Sequence, residues 1–211
     1  MTNNTYTYNI RVIALAGKKG YGKSTIAAEL SQMMNCEVMS FADSLRDVAR
    51  IMYPSVPERF YKNRQLKETP TPLLNGKTPR EALIDIGQTA KKYDPLVWSS
   101  KVVRKIKRKF IMADSMVIID DLRFPDELVQ LRENFPLTTV IHLERNSPFV
   151  AKSIFDKFKM KSSQDSPTEV GVRHMFDSNK DFILNTSDQW WMTQCELKLM
   201  QQKLFEPNYE L

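Results

Sequence analysis

A short apolar segment at residues 11–16 (RVIALA) runs straight into Gly17-Lys18-Lys19-Gly20-Tyr21-Gly22-Lys23-Ser24, and no other junction constrains the fold as much. A run that short and apolar reads as a strand covered on both faces. The next eight residues match GxxxxGK[ST], and residues 23–34 then carry Ile26, Ala27, Leu30 and Met33 at helical spacing. Gly17, Gly20 and Gly22 allow a tight turn whose N–H groups point inward, and the following helix adds its positive N-terminal end. Such a cradle takes phosphate oxygens. Lys23 is placed to reach β- and γ-phosphates, and the Ser24 hydroxyl to ligate Mg²⁺.

The remaining periodicity extends this unit into an α/β fold. A second strand is expected at 37–41 and a helix at 44–52, closed by Pro54. From 54 to 78 the prolines at 54, 57, 70 and 72, with Arg59, Lys62, Arg64 and Lys67 among them, predict an irregular basic insert. Helices follow at 79–91 and 95–109, each with proline in its first turn. Strands are expected at 115–119, 138–143 and 182–184, and helices at 125–134 and 188–204. The β-α alternation predicts five parallel strands with helices on both faces. Asp120 and Asp121 directly follow the third strand, where a carboxylate can orient Mg²⁺, and Arg123 lies two residues beyond.

With 211 residues and 42% hydrophobic content, the chain suits one domain with a core of its own. Its net charge of +6 suits anionic ligands but falls short of a dense duplex-binding face. Cys36 and Cys195 form no CxxC or Cys/His cluster, so neither a disulfide framework nor a zinc site is expected. No apolar run is long enough to span a bilayer, and residues 1–10 lack a signal-peptide pattern; a cytoplasmic enzyme is expected. Residues 101–109 (KVVRKIKRK) form a basic helical stretch, read first as a solvated face. His142 and His174 read as core and surface, and Trp190 and Trp191 as packing.

Three segments together carry a resemblance: the loop from Gly17 to Thr25, FADSLR at 41–46, and DLRFPDE at 121–127. With the stretch at 79–98 and the end of the last strand, the chain resembles the bacteriophage-type deoxynucleoside monophosphate kinases, a branch of the P-loop kinases. The resemblance implies ATP and Mg²⁺ as donor and cofactor, and a deoxynucleoside 5′-monophosphate as acceptor. It further implies that Gly17, Gly20, Tyr21, Gly22, Lys23, Ser24 and Thr25 hold the donor phosphates, with Asn185 and Thr186 beside the adenine. Ser24, Asp120 and Asp121 would serve the metal. Asp43, Arg46, Arg80, Gln88 and Arg123 would bind the substrate, and Lys23, Asp43 and Arg123 would act in catalysis. An acceptor insert at about 54–110 and a lid at about 145–178 are implied, with Arg145 and Arg173 as candidate lid arginines.

The chain departs from the family pattern at Ile84, where a glutamine is usual, and at Gly87-Gln88, where the pattern has Gly-Thr. A kinase acting on the hydroxymethyl group of a modified base (5-hydroxymethyluracil) in DNA is the competing expectation, and a non-catalytic nucleotide switch a third. The basic segments at 59–67 and 101–109 favour the DNA reading. Partners expected are thus a mononucleotide, nucleic acid only under the competing reading, no membrane, and a homodimer as an open option.

Overall fold

A computed structural model describes residues 9–110, 115–145, 172–186 and 190–205. By chain contacts these divide into two compact units, one spanning 39–111 and the other formed by the segments before and after it.

The first unit is built on a sheet of strands β1 (Ile10–Gly17), β2 (Glu37–Met39), β3 (Ser115–Ile119), β4 (Thr138–Arg145) and β5 (Phe182–Thr186). Their order is β2-β3-β1-β4-β5, so β1 lies at the centre. It pairs in parallel with β3 from Ile10↔Ser115 to Ala14↔Ile119, and with β4 from Val12↔Thr138 to Gly17↔Leu143. β4 in turn pairs in parallel with β5. Val12, Ile13, Ala14, Leu15 and Ala16 are all buried, so both faces of the central strand are covered, as its unbroken apolar run predicts. On one face Ile13 and Leu15 join Ile26, Ala27 and Leu30 of α1 (Lys23–Met34) and Leu197 and Met200 of the last helix, Trp190–Phe205. Each large aliphatic side chain so buried contributes roughly 1.5–3 kcal/mol.

A second device closes the sheet's far edge. Asp181, just before β5, is buried and accepts from Arg132 Nη2 at 2.6 Å, Asp177 N at 2.8 Å and Val140 N at 2.9 Å. Arg132 lies on the helix between β3 and β4, Pro125–Asn134, and also donates to the Met175 carbonyl at 2.9 Å. The chain entering β5 is therefore fixed by one paired carboxylate rather than by apolar packing alone.

The second unit is helical: α2 (Phe41–Met52), two short helices α3 (Arg59–Lys62) and α4 (Arg64–Lys67), a 3₁₀ turn at Pro72–Leu74, α5 (Pro79–Tyr93) and α6 (Val97–Lys109). Its own core gathers Ala49, Val56, Tyr61, Leu74, Ala82, Leu83, Ile86 and Trp98. α2 and α5 approach closely at Gly87, where an added Cβ would already sit 3.6 Å from Leu45, and Trp98 Nε1 donates to the Gly87 carbonyl at 3.3 Å.

Several boundaries differ from the sequence reading. The strand expected at 37–41 stops at Met39, and the helix expected from 44 begins at Phe41. Ser40 is the reason. Its hydroxyl accepts from Ala42 N at 3.2 Å and its own N–H donates to Asp43 Oδ2 at 3.1 Å, a reciprocal cap that starts the helix early. The insert expected to be irregular holds two helical turns because Asn63 Oδ1 accepts from Gln65 N and Leu66 N, and because Tyr61 is buried beneath them. α5 runs on to Tyr93, while α6 starts at Val97, since Asp94 Oδ1 accepts from Leu96 N and holds a turn. β4, β5 and the last helix begin or end one or two residues from their expected limits, the usual fraying of termini. The expected lid at about 145–178 falls mostly on 146–171, outside the described residues. The side chains of Arg145, Trp190, Trp191 and Cys195 are likewise outside them.

Candidate phosphate-binding site

The loop from Gly17 to Gly22 leaves the C-terminal end of β1, where the chain crosses to β2 on the β3 side and later returns from β3 over β1 to β4 on the other. Parallel α/β sheets open their ligand crevice at such a reversal. Gly17 has φ +134°, and a Cβ there would lie 2.6 Å from the Leu143 carbonyl oxygen. Only glycine allows the loop to leave the strand so close to β4. Gly22 has φ +85° and takes the N-cap position of α1, which has no side-chain cap. That helix start therefore presents backbone N–H groups without an internal acceptor, the groups that receive phosphate oxygens.

Lys23 folds back over the loop. Its Nζ donates to the Gly17 carbonyl at 2.6 Å and to the Lys18 carbonyl at 2.9 Å. The ammonium is thus held at the mouth of the turn by backbone dipoles that a phosphate can replace. Ser24 Oγ lies 3.3 Å from Asp120 Oδ2, joining the start of α1 to the end of β3. Tyr21 packs its ring against the core cluster beneath the loop, and Thr25 is exposed on the first turn of α1. Nucleotide and Mg²⁺ fit this arrangement. A hydroxyl beside a carboxylate is an all-oxygen donor pair, and Mg²⁺ favours one or two such protein ligands with phosphates and waters completing its shell. Asp121 is half-buried beside Asp120.

Arg123 is exposed on the loop after β3, and its position depends on a residue that motif reading passed over. The carboxylate of Glu127, only 6% exposed, accepts from Arg123 N at 2.9 Å and from Phe124 N at 3.0 Å. One buried acid thereby fixes the loop that carries Arg123. The signal was available: Pro125 at the first helical position with glutamate two residues on marks a capped helix start.

At the other edge, Thr186 Oγ1 donates to the Glu144 carbonyl at 3.1 Å, and Asn185 N donates to Glu196 Oε2 at 3.1 Å. Both residues are half-buried at the end of β5. His142 of β4 is buried, and its pKa is pushed down, first by burial and then by the charge of Arg173. Arg173 pairs with Glu144 at 2.6 Å. Both effects on His142 favour the neutral imidazole in the strand beside β1.

In the helical unit the expected substrate-binding side chains are engaged in local pairs. Asp43 accepts from Ser40 N and forms an ion pair with Arg46. Arg80 Nε contacts Glu68 Oε1 at 2.6 Å. Gln88 is exposed on α5.

The fold and this loop define the class: an α/β protein of P-loop kinase architecture, with five parallel strands. No family model matches the chain. A curated relative, "Putative deoxynucleotide monophosphate kinase" of Acanthamoeba polyphaga mimivirus, is 36% identical over 76 residues, covering 36% of this chain and 39% of that protein. Similar solved structures include dephospho-CoA kinase from Campylobacter jejuni, at 16% identity over 93% of this chain and 96% of that one, with a TM-score of 0.49. A gluconokinase from Sinorhizobium meliloti 1021 follows at 12% identity, 92% and 95% coverage, and a TM-score of 0.45. Likeness at that level says nothing about the acceptor.

Proposed function

We propose that the chain transfers the γ-phosphate of ATP to a deoxynucleoside 5′-monophosphate, giving the diphosphate. The observation that carries this is the cradle itself: Lys23 held across the Gly17 loop, with Ser24 beside Asp120 at the end of the neighbouring strand. The partial likeness to the mimivirus protein supports a mononucleotide as acceptor. Phosphoryl transfer asks for positioning and charge neutralisation more than for covalent chemistry. In this reading the loop N–H groups and Lys23 hold the donor's β- and γ-phosphates, and Arg123 meets the charge that develops between donor and acceptor. Bound Mg²⁺ would neutralise the same oxygens, with Ser24 and the Asp120-Asp121 pair as its protein side. Asp43, Arg46, Arg80 and Gln88 bind the acceptor, so their present partners (Ser40 and Glu68 among them) must be exchanged for it. Asn185 and Thr186 flank the donor base. The acceptor's attacking oxygen is already anionic at neutral pH, so no general base is required.

The test is direct. The protein is incubated with Mg-ATP and, in separate reactions, each deoxynucleoside monophosphate and an oligonucleotide carrying 5-hydroxymethyluracil, and the products are weighed by mass spectrometry. A diphosphate from at least one mononucleotide is expected. Phosphate found only on the oligonucleotide would replace this reading with the DNA-directed one.

A further inference from the structure

The charge of this molecule is not spread evenly. α6 carries Lys101, Arg104, Lys105, Lys107, Arg108 and Lys109 and not one acidic residue. Those six cations equal the formal net charge of the whole chain, +6, so the rest of the chain is electrically balanced. The helix is sharply two-sided. Trp98, Val102, Val103 and Ile106 are buried, whereas Arg104, Lys105, Arg108 and Lys109 are exposed. Lys101, Arg104, Lys105, Arg108 and Lys109 line one shallow surface depression.

Elsewhere in the same unit five cations have acidic neighbours: Arg46 with Asp43, Arg50 with Asp47 and Glu58, Lys62 with Glu58, Lys77 with Asp85, Arg80 with Glu68. On α6, among the described residues, Lys101, Arg104, Lys105 and Arg108 have none. Lys101 lies over the Trp98 ring at 5.4 Å and Arg104 Nε donates to the Ser100 carbonyl. Lys101 and Lys105, and Arg104 and Arg108, are like charges four residues apart, which weakens a helix. Cations in the last turn are offset by the helix dipole, but Lys101 and Arg104 lie too far from the C-terminus for that. A polyanion laid along the face would relieve the repulsion.

We infer that the exposed face of α6 is a docking surface for the phosphate backbone of duplex DNA. From residue 101 to 109 the face is about 12 Å long. A duplex carries one charge per about 1.7 Å of axis, enough to meet about four of these cations at once. No aromatic ring stands exposed on the face: Trp98 is buried beneath Lys101 and Phe110 is half-buried. Single strands therefore lack the stacking platform on which they are usually held, and what remains is charge density, greatest on a duplex. The surface reads no sequence. It would keep the protein on DNA whichever acceptor the phosphate-binding site serves.

Fluorescence anisotropy of a labelled 20-base-pair duplex, titrated with the full chain across a series of salt concentrations, tests this. Neutralising about four phosphates gives a slope of log K against log salt near −4. The triple variant Arg104→Glu, Lys105→Glu, Arg108→Glu should bind at least ~10-fold more weakly at low salt, with a slope shallower by about three units. Its thermal unfolding should match the parent. If it does not fold, the single variant Arg108→Gln should still lower the slope by about one. No duplex binding at low salt, binding undiminished in the variants, or equal binding of single-stranded RNA or polyglutamate of the same charge would each overturn the inference.

Discussion

The two units hold their candidate functional groups in opposite ways. In the sheet unit the groups are placed by backbone: Gly17 at φ +134° against Leu143, Gly22 capping α1, and Lys23 bonded to two carbonyls of its own loop. In the helical unit they are placed by side-chain pairs at or near the surface: Asp43 with Arg46, Arg80 with Glu68. Backbone placement survives loss of any one partner poorly, because neighbouring strands allow no other path. Side-chain pairs can be exchanged, which suits a surface that must give up its partners when a ligand arrives. The contrast implies rigidly held groups in the sheet unit and exchangeable ones in the helical unit.

The largest effect that would test this is at Lys23. Lys23→Ala should lower phosphoryl transfer by about 10³-fold, roughly 4 kcal/mol of transition-state stabilisation, while thermal unfolding stays near that of the parent. Steady-state kinetics with Mg-ATP and the acceptor found by mass spectrometry measure it. Activity within tenfold of the parent would remove the loop from the chemistry.

Next in size is a pair of glycine replacements that separates close approach from torsion alone. Gly17→Ala meets the Leu143 carbonyl at 2.6 Å as well as an unfavourable φ, whereas a Cβ at Gly20 meets nothing within 4 Å. Gly17→Ala should cost about 3 kcal/mol of stability and Gly20→Ala about 1 kcal/mol. Chemical denaturation of both variants gives the difference. Equal losses would mean that β4 yields and that backbone placement is softer than described.

The smallest effect belongs to the helical unit. Asp43→Asn weakens the cap on α2 and its half-exposed pair with Arg46, for about 1 kcal/mol or less. With a mononucleotide acceptor KM should rise and kcat change little, since only a contact to the acceptor is lost. A fall in kcat of two or more orders of magnitude at unchanged KM would instead make Asp43 a general base, as a hydroxymethyl acceptor requires.

Much of the sheet unit could be read from local signals. The helix Lys23–Met34 and the strand Ser115–Ile119 lie where apolar periodicity put them, and GKKGYGKS marked the tight turn between β1 and α1, because glycine content and helical spacing act over a few residues. Phe41 was read as the end of a strand because short apolar runs look alike in strand and helix, and the cap at Ser40 decided between them. Glu127 drew no notice as a carboxylate in a familiar segment; its burial beneath two N–H groups is a property of the folded loop.

The sequence by itself determined the order of the strands and longer helices, the glycine-rich turn and the excess of cations on one helix, all consequences of neighbours along the chain. Tertiary structure alone decided which strands flank β1, why Gly17 must be glycine, and that Ser24 meets Asp120 across 96 positions of sequence. It also decided which cations stand without an acid beside them. Those facts depend on segments brought together by burial, and no local pattern of residues encodes a distance between them.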